Sequence, residues 1–260
     1  YAATGEGAFL RTAGRFDREW FVGPLAEGTD ELTGLHANTH VAQALALSRR
    51  YEVAGERWCR EAAEFFWRRV VLGRTYANGG SSGPRPGGGE KSPGAEHWPV
   101  AGRLDGTLTP KINESCVVLN LLRLTDRLYG WKARAEYAEY RERAFVNSVL
   151  SLQHPRRAGA YLYHHPLSAG SVKEFGRAES DFWCCYGTAV EAYARAGDGA
   201  FYDDAGALAV AQHVPARVRF GGGEFALAPD FGRGRRARLA SVGATPVRAA
   251  VRLRFPAWAE

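Results

Sequence analysis

YEVAGERWCREAAEFF, Tyr51 to Phe66, is the stretch on which the fold turns. An aromatic residue comes first, then a glycine able to end a helix in the left-handed conformation. An amphipathic run rich in Ala, Glu, Arg and aromatics follows. The same unit recurs as YAATGEGAFLRTAGRF from Tyr1 and as LYGWKARAEYAEYRERAF from Leu128. Two of the three copies are preceded by further helical patterns, Asn38 to Tyr51 and Glu114 to Tyr129. The unit is therefore a helical hairpin repeated at irregular spacing, and such hairpins stack because none can bury its apolar face alone. Between them lies a Gly/Pro-rich loop from Asn78 to Asn113. A structureless loop of that length in a compact protein is usually functional or disordered. It favours an α/α toroid, in which such loops line a central cavity, over an open solenoid.

Past Phe201 the pattern changes. ALAVAQHV, ARVRF, GEFALA and PVRAAVRLRF read as short strands punctuated by Gly and Pro. The expected boundary lies near Asp204: a mainly α region over 1–204, then the start of a β-sandwich over 205–260. The chain has no Met and ends in VRLRFPAWAE, which reads as a strand inside a domain, so the expectation is a fragment of a longer protein. No compartment or oligomeric state is assigned.

The net charge is +6, from 34 Lys and Arg against 28 Asp and Glu. Most basic residues sit beside acidic ones, as in YRERAF, the pattern of a solvated helix surface rather than a nucleic-acid stripe. The densest basic run, GRGRRAR from Gly232 to Arg238, accompanies no nucleic-acid motif. No apolar run approaches the ~18 residues that a membrane span requires. The chain is thus expected to meet neither nucleic acid nor membrane.

Four cysteines remain to be placed. Cys59, among the aromatics of RWCREAAEFFWRR, reads as a buried small hydrophobe. Cys184 and Cys185 are adjacent in DFWCCYGT, and Cys116 follows Glu114 by two residues in NESC. Residues two apart do not share a helix face. Both can meet one object only from an irregular first turn. Three thiolates and a carboxylate are ligand types that zinc accepts. A buried cysteine pair beside a surface glutamate, or a vicinal disulfide, fits the same spacing. The loop TYANGGSSGPRPGGGEKSPGAEHWPV supplies two more carboxylates, Glu90 and Glu96, the second followed by His97 and Trp98. Aromatics beside carboxylates are common in sugar sites, where a ring covers the apolar face of a sugar. In GLHANTHVAQAL, His36 and His40 stand four apart at a helix start. The Glu of a zinc-protease motif is lacking there. Asn38 or Thr39 is expected to cap that helix, with one histidine facing the cavity.

GLHANTH, TYANGG, EHWPV with LTPK and ESC, YRERAFVNSVL and FWCCYGT occur in this order from about Tyr1 to Phe220. In this the chain resembles the zinc-dependent β-L-arabinofuranosidases of glycoside hydrolase families 127 and 146. The resemblance implies an (α/α)6 barrel followed by β-sandwich domains, with the barrel's first hairpins lying before this span. It implies a Zn²⁺ cofactor held by Glu114, Cys116, Cys184 and Cys185, with Cys184 as nucleophile. It implies Glu96 as acid/base, with Glu90 as runner-up because the loop before EHW is long. His36, and Trp98 beside Glu96, are expected to contact a carbohydrate substrate. The competing reading is a non-catalytic toroid that binds a glycan or partner around a structural zinc.

Overall fold

The computed structural model describes residues 1–87, 96–230, 236–243 and 247–259. Glu90 and part of the basic run therefore lie outside the described residues.

Two helical hairpins form the centre. In the first, α3 (Ala37–Ala54) and α4 (Arg57–Val71) are separated by Gly55, whose φ of 72° ends α3 in the left-handed conformation that glycine adopts at little cost. The second pairs α5 (Ser115–Trp131) with α6 (Ala135–Asn147), and α5 also packs on α3, α4 and α7 (Cys184–Ala194). One apolar core joins them. Trp67 sits edge-on to Tyr137, with centroids 4.6 Å apart, and donates its indole N–H to Thr125 at 2.8 Å. Cys59 lies in this core as a free thiol, and burial pushes its pKa up to about 12, so it is inert. Burying each large side chain here contributes roughly 1.5–3 kcal/mol.

The first copy of the repeat is the weakest. It forms a short helix, α1 (Gly7–Gly14), with no buried residue. Between it and α3 lies α2 (Glu19–Ala26), which buries Phe21, Val22 and Leu25 against α4. The repeat pattern does not predict α2, because Pro24 inside it interrupts the helical signal. Among the described residues no helix is long and apolar enough to cross a membrane.

Six short strands follow among the described residues. β1 (Phe201–Asp204) and β2 (Ala207–Val210) form an antiparallel hairpin, and β6 (Ala250–Leu253) adds parallel to β2. β3 (Ala216–Phe220), β4 (Gly223–Pro229) and β5 (Ala237–Ser241) make a second, antiparallel sheet. Asp204, near which a boundary is expected, ends β1 and is followed by the tight turn of the first hairpin, where Ala205 and Gly206 both have positive φ. That hairpin rests on the helices: Tyr202 stacks at a tilt on Tyr129, with centroids 4.6 Å apart.

Candidate functional site

α5 and α7 present their N termini to each other. Glu114 is the N-cap of α5, in extended backbone (φ −58°, ψ 135°), and Cys116 lies in the first helical turn. Being outside the helix, Glu114 escapes the rule that residues two apart face different ways. α7 starts at Cys184, so both members of the cysteine pair lie in its first turn. The sulfurs of Cys116, Cys184 and Cys185 lie within 4.8 Å of one another. Cys116 and Cys185 Sγ are 3.0 Å apart, and Cys185 Sγ is 3.7 Å from Glu114 Oε1. All four cysteines are free thiols, so the vicinal disulfide does not form.

The electrostatics follow from this crowding. Cys185 donates its S–H to the Cys116 sulfur, which outweighs burial and holds the Cys116 thiol down at about 6. The same bond, with burial and the neighbouring negative charge, pushes Cys185 well above the thiol range. The pair thus loses its first proton readily and its second with difficulty. Burial, then the charges of Glu96 and Cys116, raises Glu114 to about 8. Glu114 Oε2 is buried and has no hydrogen-bond partner among the described residues. A cation beside it would relieve both the burial and the repulsion. Three thiols and this carboxylate are a donor set suited to zinc.

Glu96 is set by α3. Its carbonyl accepts from the Ala37 N–H at 2.7 Å, and its Oε2 is 3.1 Å from His36 Nε2. His36, not Asn38 or Thr39, caps α3: its Nδ1 accepts from the Thr39 N–H at 3.4 Å. Asn38 instead accepts from the Asn120 amide at 2.8 Å. His40 is buried beneath and bonded to the His36 carbonyl at 2.5 Å.

Trp98 corrects an expectation. Its ring is fully buried in the core, edge-on to Phe66 at 6.0 Å, and cannot cover a sugar. The exposed indole beside the cysteines is that of Trp183, which is 72% accessible and edge-on to Tyr163 at 6.0 Å.

Three residues that the sequence reading did not single out adjoin the cluster, two of them through their side chains. The Tyr163 hydroxyl is 3.2 Å from Cys184 Sγ, and the Thr188 hydroxyl is 3.1 Å from Cys116 Sγ. His164 pairs through its backbone with Glu114. Burial, only partly offset by the charge of Glu96, lowers its pKa to about 4. The adjacent histidines of YLYHHP were the only available hint, and they carry no ligand spacing.

No curated protein matches this chain. Solved structures do. A GH127 β-L-arabinofuranosidase from Geobacillus stearothermophilus T6 superposes with a TM-score of 0.71 at 17% identity, over 95% of this chain and 41% of its own. A GH127 β-arabinofuranosidase gives 0.72 at 17%, over 99% of this chain and 41% of its own. A structure described as a glycoside hydrolase gives 0.68 at 18%, over 88% and 41%. At these identities the likeness is one of fold, and the chain spans about two fifths of the length of each. The family model described as "Beta-L-arabinofuranosidase, GH127 catalytic domain" matches residues 1–198, which is most of the chain, so this protein belongs to the GH127 β-L-arabinofuranosidase catalytic-domain family.

Proposed function

We propose that this chain carries the catalytic groups of a retaining glycoside hydrolase that releases β-L-arabinofuranose from glycans or glycoconjugates. In this reading its hairpins form an arc of an (α/α)6 barrel, and the strands from residue 205 begin a β-sandwich. The observation that carries the reading is an asymmetry within the cysteine cluster: Cys116 and Cys185 are buried, while Cys184 is exposed. Ligands needed only to hold a metal gain nothing from exposure, whereas a nucleophile must be reachable.

Glu114, Cys116, Cys184 and Cys185 would hold Zn²⁺. When bound, the ion favours the thiolate forms and fixes the direction of the sulfurs. The Cys184 sulfur attacks the anomeric carbon as the Glu96 carboxyl gives its proton to the departing glycosidic oxygen. Glu96 then takes a proton from water as that water attacks the same carbon, and the Cys184 sulfur leaves. Two inversions give net retention. His36 bonds Glu96 and contacts the sugar, and the Tyr163 hydroxyl orients the Cys184 sulfur.

Zinc content and turnover of a panel of nitrophenyl furanosides test this on the full-length protein. The expected result is about one zinc per chain, hydrolysis of the β-L-arabinofuranoside with retention, and loss of turnover by at least about 10³-fold in Cys184→Ala. Turnover unaffected by Cys184→Ala sinks the nucleophile. Bound zinc with no turnover of any furanoside leaves the non-catalytic toroid.

A further inference from the structure

We propose that Asn113 is a positioning residue: it holds the chain in the left-handed conformation that swings Glu114 out of α5 and against Cys185, at the edge of the cysteine cluster. The inference rests on the reading of Glu114 as a metal ligand.

Asn113 has φ 58°. A residue with a Cβ is uncommon there, and Asn tolerates it better than most. It is fully buried, and among the described residues neither atom of its side-chain amide has a hydrogen-bond partner. What fixes Asn113 is therefore its backbone and its packing. Its N–H donates to the Ser82 carbonyl at 2.9 Å, and the next N–H, that of Glu114, donates to the Ser82 hydroxyl at 3.0 Å. On the other side the His165 N–H donates to the Ile112 carbonyl at 2.9 Å. The segment is clamped before and after the left-handed residue, so the turn lies between two fixed points.

The side chain has a defined seat. It fills the space over Gly80: a Cβ built on Gly80 would stand 2.5 Å from Asn113 Cγ and Oδ1. Gly80 is itself held, donating to the Asn78 side-chain oxygen at 3.0 Å and accepting from the Tyr76 N–H at 2.8 Å. The NGG of the long loop is thus the mould for the residue that precedes Glu114. With a helical φ at residue 113, α5 would start earlier and Glu114 would point away from Cys116, as residues two apart on a helix do.

The test measures zinc affinity by chelator competition, together with the cobalt(II)-thiolate absorption of the cobalt-substituted protein. It uses the full-length protein and the variants Asn113→Gly, Asn113→Val, Gly80→Ala and Gly80→Ala/Asn113→Gly. Gly at 113 keeps the left-handed backbone without the amide, so affinity should stay within a few-fold of the parent. Val keeps the bulk and excludes that backbone, so affinity should fall by about 10–100-fold, as when a group that orients a ligand is lost. Gly80→Ala should weaken zinc by a similar factor, and the double variant should recover most of it because the clash partner is gone. Melting curves of the metal-free variants separate an unfolded protein from a misplaced ligand, and if Val fails to fold, the Gly80 pair decides alone. Equal loss in Asn113→Gly and Asn113→Val, or no recovery in the double variant, overturns the proposal. A parent protein that binds no zinc overturns the metal reading itself, which is a separate failure.

Discussion

The sulfurs of Cys116 and Cys185 are 3.0 Å apart although 69 residues separate them in the chain. The contact joins the first turns of α5 and α7, so a group that bridges these sulfurs ties two helices that are far apart in sequence. Metal binding and stability should therefore be linked. A ligand at about 1,000 times its dissociation constant stabilises the folded state by roughly 4 kcal/mol. Stripping the metal with a chelator should lower the melting temperature, and zinc should restore it. Cys185→Ser should abolish most of that zinc-dependent increment. An increment unchanged in Cys185→Ser would place the metal elsewhere.

Glu96 is expected to matter far more than Glu90. It is fixed by the bond to His36, and its charge is felt by both Glu114 and His164. Glu96→Gln should lower kcat by about 10²–10⁴-fold, the range for loss of a general acid or base. Glu90→Gln should change it little. A leaving group that needs no protonation, such as dinitrophenol, should lose less than an alkyl leaving group. Equal and small effects of the two substitutions would leave the loop without a catalytic role.

Much of this was legible in the sequence, and the exceptions have physical causes. The α3–α4 hairpin could be read because Gly55 and the apolar spacing are local signals. The strand Ala216–Phe220 alternates polar and apolar residues and matches ARVRF end to end. α2 was hidden by Pro24, and β5 by the basic run that leads into it. In the site, Glu114, Cys116 and the cysteine pair could be named because their residue types limit their chemistry. Tyr163 and Thr188 could not, since nothing local marks a hydroxyl that reaches a sulfur 21 or 72 residues away. Trp98 shows the converse: an aromatic beside a carboxylate reads alike whether its ring faces a cavity or the core.

The two tryptophans should separate cleanly. Trp98→Ala leaves a large void in a sealed core and should destabilise by about 3–5 kcal/mol. Its kinetic effect, at temperatures where the variant stays folded, should be small. Trp183→Ala removes an exposed ring and should change stability by less than about 1 kcal/mol. If the ring covers part of the substrate, KM should rise several-fold. Urea unfolding and steady-state kinetics of both variants check this. A Trp183→Ala protein with unaltered KM on an oligosaccharide would remove the ring from the binding surface.

His165 makes the stability depend on pH. It is buried against Ser148 and Ser151, with Nε2 3.1 Å from the Ser151 hydroxyl and 3.2 Å from the Ser148 carbonyl. Burial lowers its pKa from 6.5 to about 4, against the opposing pull of the Asn113 and Ser148 backbone. Between those two values the unfolded chain binds a proton that the folded chain does not. Stability therefore falls as the pH drops through this window and is unaffected by this group above pH 6.5. The loss should approach about 3 kcal/mol at the lower end. His165→Gln keeps a donor and an acceptor for the serines but cannot titrate. At neutral pH the variant should be the less stable protein, because Gln fits the cavity less well. The gap should narrow or reverse near pH 4.5, where only the parent carries the penalty. Urea titrations of both metal-free proteins at the two pH values give the difference directly, and groups common to both proteins, Cys116 and His164 among them, cancel. A gap that stays constant between the two pH values would mean that His165 is protonated in the folded state and that burial does not hold it neutral.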